Sequence, residues 1–126
     1  MSGSARPAST VKAFFDAMQA RDWARARSLV ADDALIEWTE TGERFMGQRF
    51  VDMNEAYPEG WTIDVIEVLD CGDRVAAQVR VSLAGETFWC AGFYSVQGHR
   101  IIAGTEHWVT AGSEQPPEWR RRFTDA

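Results

Sequence analysis

Histidine and cysteine are scarce in this chain, two of each in 126 residues. His99, His107, Cys71 and Cys90 stand apart, without clustered carboxylates or metal-ligand spacing, so no metal centre is expected. Cys71 sits beside a Gly-Asp turn and Cys90 in mid-strand, so they are not expected to pair, and reduced thiols in the cytoplasm are the expectation. The glycines are scattered at turns and form no phosphate-cradling loop. No nucleophile elbow or Ser-His-Asp signature is present, and no cofactor is expected. Positive charge is short as well: 13 Lys and Arg stand against 19 Asp and Glu, a formal net charge of −6. That balance speaks against nucleic-acid binding, which needs a basic footprint, and against an anionic membrane surface. No apolar run approaches the ~20 residues of a membrane span, and the opening MSGSARPAST lacks the apolar core of a secretory signal.

Aromatic residues are plentiful, with six Trp and seven Phe. They suit a bulky core or a pocket for a flat apolar ligand. The length and the 45% hydrophobic and 25% charged composition fit one soluble domain. Residues 1–8 read as a polar tail, 9–112 as the folded unit, and 113–126 as a C-terminal tail with a short helix after Pro116-Pro117.

Periodicity orders the elements. Ser9 or Thr10 can cap a first helix, with Val11, Phe14, Phe15 and Met18 on one stripe. Asp22 can cap a second helix carrying Trp23, Ala26, Leu29 and Val30, which a turn at Asp32-Asp33 ends. Ala34 to Thr39 is a short strand with Ile36 and Trp38 on one face, and residues 40–47 a loop or short hairpin. A third helix runs from Gln48 to Tyr57, with Phe50, Met53, Asn54 and Tyr57 at helical spacing, and Pro58 stops it. Strands near 61–71, 74–83, 87–97 and 100–109 are joined by short Gly-containing links, an antiparallel meander. The predicted class is α+β: helices packed on one face of a curved sheet. Trp89, Ala91 and Phe93 make the opposite, convex face apolar. One helical layer covers one face only, so a second copy of the chain is the expected partner there.

The last strand, RIIAGTEHWV, holds the most pointed functional residue. Alternation puts Ile102, Gly104, Glu106 and Trp108 on one face, and Ile101, Ala103, Thr105, His107 and Val109 on the other. If the first face lines a cavity, Glu106 is a carboxyl in an apolar wall with no inward Arg or Lys beside it. Burial there raises a Glu from its ordinary ~4.3 toward roughly 6–7, where enzymes use it as a proton carrier. The alternative is a structural Glu bonded to a Trp or Tyr donor. Asn54 and Tyr57 offer donors to a ligand, or serve the local backbone and the Pro58 corner. Arg120 to Arg122 read as a solvated helix face, or as part of a tail that Trp119 and Phe123 fold back over a pocket mouth.

The element order, VADDALIEW (Val30 to Trp38), the Gly47-then-helix step, the YPEGW corner (Tyr57 to Trp61) and RIIAGTEHW together resemble the SnoaL-like branch of the nuclear-transport-factor-type superfamily. Polyketide cyclases, ketosteroid isomerases and limonene epoxide hydrolases belong to it. The resemblance implies a cone, a bent, mainly antiparallel sheet wrapped around N-terminal helices, with a pocket at the wide end and usually a homodimer. It implies pocket walls at Phe14, Met18, Trp38, Met53, Asn54, Tyr57, Val79, Val81, Phe88, Cys90 and Trp108. The isomerase Tyr and carboxylate match Phe14 and Trp38, which cannot do that work. The hydrolase Arg and Asp match Val79 and Val81, and only the last-strand carboxylate has a counterpart, Glu106. Three functions stay open. One is a cyclase, isomerase or hydratase using Glu106 on a small apolar, cyclic substrate. Another is a binding protein with the same pocket. The third is a structural dimerisation module. An open cavity of at least roughly 300 Å³ reaching Glu106 favours the first two, and a filled cone the third.

Overall fold

The computed structural model describes residues 6–125, so Met1 to Ala5 of the expected tail lie outside the described residues. Helix α1 spans Pro7–Gln19 and α2 spans Trp23–Ser28. Strand β1 covers Val30–Trp38 and β2 Glu43–Met46, followed by helix α3, Gln48–Ala56. Strands β3 (Thr62–Cys71), β4 (Arg74–Leu83), β5 (Glu86–Gln97) and β6 (Arg100–Thr110) complete the sheet, and a 3-10 helix covers Glu118–Phe123.

The six strands form one sheet in the order β2-β1-β6-β5-β4-β3. All pairs are antiparallel except β1 with β6, which run parallel. This is the expected α+β architecture, a curved and mainly antiparallel sheet with the helices on its inner face. That parallel pair brings Trp38 level with Glu106 across 68 positions of sequence.

Three local readings need correction. The first helix starts at Pro7, not after Ser9 or Thr10, and Arg6 stands at its N-cap without a side-chain bond. Proline suits the first helical turn because its missing N–H would have no intrahelical partner there. Asp32-Asp33 is not a turn: both residues lie inside β1, exposed, where the pairing with β6 shifts register between Val30 and Leu35. A bulge lets the two acids face water while the chain stays extended. In β6, Ile101 faces inward and is buried, against simple alternation. The register shift opposite Ser95/Val96 leaves Ile102 as the extra residue and inverts parity before it.

Asp22 does cap α2, accepting from the Arg25 N–H at 3.1 Å. The core joins α1 (Val11, Phe14, Phe15, Met18) to Ile36, Phe50, Val75, Val79, Tyr94 and Ile101. Burying a side chain of this size stabilises the fold by about 1.5–3 kcal/mol, so this layer fixes the cone before any site is considered.

Candidate functional site

At the open end of the cone the core gives way to a cavity of about 210 Å³. The α1 stripe contributes Phe15 and Met18, and α3 contributes Phe50, Asn54 and Tyr57. The sheet contributes Trp38, Val81, Leu83, Phe88, Glu106, Trp108 and Thr110, with Ile63 from β3, Trp61 just before it, and Glu40 and Thr41 from the turn after β1.

Of the residues expected at the walls, Met18, Trp38, Asn54, Tyr57, Val81, Phe88 and Trp108 lie along the cavity, together with Glu106. Phe14, Met53, Val79 and Cys90 do not. Phe14 turns into the core and stacks on Phe50, with ring centroids 5.9 Å apart, so its neighbour Phe15 takes the wall position. Val79 and Cys90 face each other across β4 and β5, both buried beyond the cavity's lining. Met53 packs half-buried against the core. Trp119 and Phe123 are exposed and do not line the cavity, so the tail does not close over its mouth.

Glu106 is 2% exposed and lines the cavity. Of the two alternatives the sequence left open, its bonding matches the Glu held by Trp and Tyr donors and not the isolated acid. Tyr94 donates its hydroxyl to Oε2 at 2.5 Å, and the indole N–H groups of Trp38 and Trp108 donate to Oε1 at 2.8 and 3.2 Å. Each donor arrives by a separate route. Trp38 is level with Glu106 on β1, and Trp108 is two residues on along the same face. Tyr94 reaches diagonally from β5, where it stands opposite Gly104 while Gly92 stands opposite Glu106. A Cβ on Gly104 would lie 2.8 Å from the Tyr94 ring and 2.9 Å from Ile36, and a Cβ on Gly92 would meet the Tyr94 ring and hydroxyl. Two glycines in mid-strand therefore let a buried tyrosine lie along the sheet and touch the carboxylate.

Burial pushes the Glu106 carboxyl above its ordinary value, and the three donors pull against that rise. Among the described residues no cation offsets the charge: all three partners are neutral. Burial and the nearby Glu106 charge hold the Tyr94 hydroxyl well above its ordinary value and raise the Cys90 thiol too. Both therefore stay protonated at neutral pH. Tyr94 was not among the expected site residues. Its signal was the pair of glycines on either side of its path.

Other polar groups are committed elsewhere. The Asn54 side-chain amide donates to the Phe50 carbonyl at 2.9 Å, and Tyr57 is exposed at the rim. The Trp61 indole N–H is buried with no partner. The Arg21 guanidinium lies 3.4 Å over the Trp61 ring, donates to the Trp61 carbonyl at 2.7 Å and holds Glu59 at 2.8 Å. That clamp ties the end of α1 to the lip of the cavity, and the same guanidinium lowers the Glu59 carboxyl. His107 faces the convex side, 2.7 Å from Thr39, and both cysteines are free, Cys71 exposed and Cys90 buried. Among the described residues no group of three or more His, Cys, Asp or Glu is placed to hold a metal ion, and no helix is long and apolar enough to cross a membrane.

The profile of the SnoaL-like domain family matches residues 11–104. Among solved structures, a candidate ketosteroid isomerase from Kribbella flavida is similar with a TM-score of 0.88 and 25% identity, over 95% of this chain and 88% of that one. An LEH-like epoxide hydrolase of M. tuberculosis gives a TM-score of 0.71 at 19% identity, covering 82% of each chain. IdmH, a candidate polyketide cyclase from Streptomyces antibioticus, gives 0.71 at 18% identity, over 85% of this chain and 93% of that one. Among curated proteins, none matches this sequence.

Proposed function

The chain belongs to the SnoaL-like domain family, and on that premise we propose that it binds a small, largely apolar, cyclic molecule in the cone cavity. Glu106 is its proton carrier. One observation carries the reading: a buried carboxyl lines an otherwise mostly apolar, aromatic cavity with no counter-cation. Such a group is poised to take a proton from a ligand C–H or O–H and return it to another ligand atom. The Tyr94, Trp38 and Trp108 donors stabilise the carboxylate and hold its orientation through the cycle. The cavity reaches Glu106, so the cone is not filled, but at about 210 Å³ it falls short of the roughly 300 Å³ expected of an open ligand pocket, which limits the ligand to a compact frame.

A non-catalytic binding protein is the second reading, favoured by the saturation of Glu106: a carboxylate that already accepts three hydrogen bonds is a weakened base. A native mass spectrum of freshly purified protein tests the shared premise. A retained small molecule is expected, and a protein that neither retains nor takes up any compact apolar compound overturns both readings. Glu106→Gln then separates them. Under the catalytic reading it abolishes turnover and leaves binding in place. Under the binding reading there is no turnover to lose.

We also propose that the convex sheet face meets a second copy of the chain. Ala91, Phe93 and Val109 are exposed there, with Trp89 half-buried beside them. A contiguous apolar patch of this kind marks an interaction surface.

A further inference from the structure

The cavity's lining is one-sided in charge. Two carboxylates line it, Glu106 deep in the wall and Glu40 on the exposed turn, and among the described residues no Lys, Arg or His does. Seven of its sixteen lining residues are aromatic. Phe15, Trp38, Phe88 and Trp108 belong to this wall, and the face of an aromatic ring carries negative electron density. Arg21 lies over Trp61, but it is held by Glu59 through both oxygens and does not line the cavity.

An anionic ligand would give up its water beside a buried carboxylate and aromatic faces, with no positive group to receive it. A cation meets the opposite situation. The aromatic faces attract it, most strongly where water is excluded. It also supplies the counter-charge that the neutral Tyr94, Trp38 and Trp108 donors cannot give to Glu106. We infer that the cavity is built for an organic cation, an amine or quaternary ammonium on a compact apolar frame. This inference rests on the cavity being a ligand site, as proposed above, and adds the ligand's charge.

Isothermal titration with three compounds of closely matched size tests it: benzylammonium, benzyl alcohol and benzoate, at about pH 8, above the ordinary carboxylate range and where the amine keeps its proton. The ammonium binds at least about tenfold tighter than the alcohol, the equivalent of one well-placed cation–aromatic contact, and benzoate does not bind. Glu106→Gln weakens the ammonium by at least about tenfold more than it changes the alcohol. Glu40→Gln, on an exposed turn where folding is not at stake, weakens the ammonium relative to the alcohol by a smaller factor. Benzyl alcohol or benzoate binding as tightly as the ammonium sinks the inference while the cavity remains a ligand site. An ammonium affinity that neither substitution changes does the same. If none of the three binds, the inference falls together with the ligand-site reading.

Discussion

The two faces of the sheet around β1, β5 and β6 each carry an exception to the usual order of a soluble sheet. The concave face, turned away from water, holds a carboxyl, a phenol and two indole N–H groups around Glu106. The convex face, turned outward, shows Ala91, Phe93 and Val109. Ordinarily the half-covered sheet of an antiparallel domain is apolar inside and polar outside. Polar groups cost free energy when buried and apolar ones when exposed, so each face here departs from the stable default. The concave departure is offset in part by the three hydrogen bonds to Glu106, whose carboxyl stays raised; on the convex face the apolar side chains stay exposed in the single chain. The first is stabilised from within, and the second is the face that the proposed second copy would cover.

The sharpest break between the faces is steric. Gly104→Val drives a branched side chain into the Tyr94 ring and Ile36, and should cost at least the ~1–3 kcal/mol of an overpacked core. Ala91→Val, on the opposite face of the neighbouring strand, should stay within about 0.5 kcal/mol. Urea unfolding of the two variants, read at the midpoint, checks the contrast. Equal losses would mean that the glycine is not holding a place for the tyrosine.

A somewhat smaller effect tests the polar network. Glu106→Gln keeps an acceptor for the indoles and strands the Tyr94 hydroxyl, an expected loss of about 1–2 kcal/mol near neutral pH. The loss should depend on pH. The folded carboxyl is raised, so its protonated form is held more tightly than in the unfolded chain. Its contribution is fully present below the ordinary value of ~4.3 and is lost as pH rises through the folded value. The gap between wild type and Glu106→Gln therefore narrows from acid to alkaline pH. Thermal unfolding of both proteins across about pH 4.5 to 9 reads it, and a gap that widens would show that the donors outweigh desolvation.

Cysteine gives a third contrast within one residue type. Cys90→Ala empties a small buried volume and should cost on the order of 1 kcal/mol, whereas Cys71→Ser on the surface should be neutral within about 0.5 kcal/mol. A paired thermal scan decides it. The smallest effect on the protomer's own stability is expected from Trp89→Arg on the convex face. Its readout is assembly: light scattering should find a dimer for wild type and a monomer or aggregate for the variant. A wild type that is cleanly monomeric at micromolar concentration removes the proposed convex contact.

That contrast was half legible in the sequence. The short Gly-containing links were enough for the meander, and parity alone put Glu106 and His107 on opposite faces. What alternation could not carry was everything set by distant pairing. The bulge at Ile102 flips the parity of Ile101. The parallel register of β1 with β6 delivers the Trp38 indole to a residue 68 positions away, and no local pattern encodes that. Helix α1 offered Phe14 and Phe15 equally, and only the packing of Phe14 on Phe50 decides which one meets the cavity. The tyrosine could have been suspected. Glycine weakens a strand interior, so Gly92 and Gly104 flanking one large residue mark a place where something lies close to the backbone.

The convergence of two indoles on one oxygen has an optical consequence. The Trp38 and Trp108 rings stand 5.9 Å apart, and both donate to Oε1 of Glu106. Any gain or loss of charge on that carboxyl changes the field across two chromophores at once, while Trp119, out in solvent, is blind to it. The protein thus carries its own spectroscopic gauge of the site. Its intrinsic emission and near-ultraviolet dichroism should follow the state of Glu106 without an added label, and Glu106→Gln should flatten that response while the solvent-exposed tryptophan supplies a constant baseline.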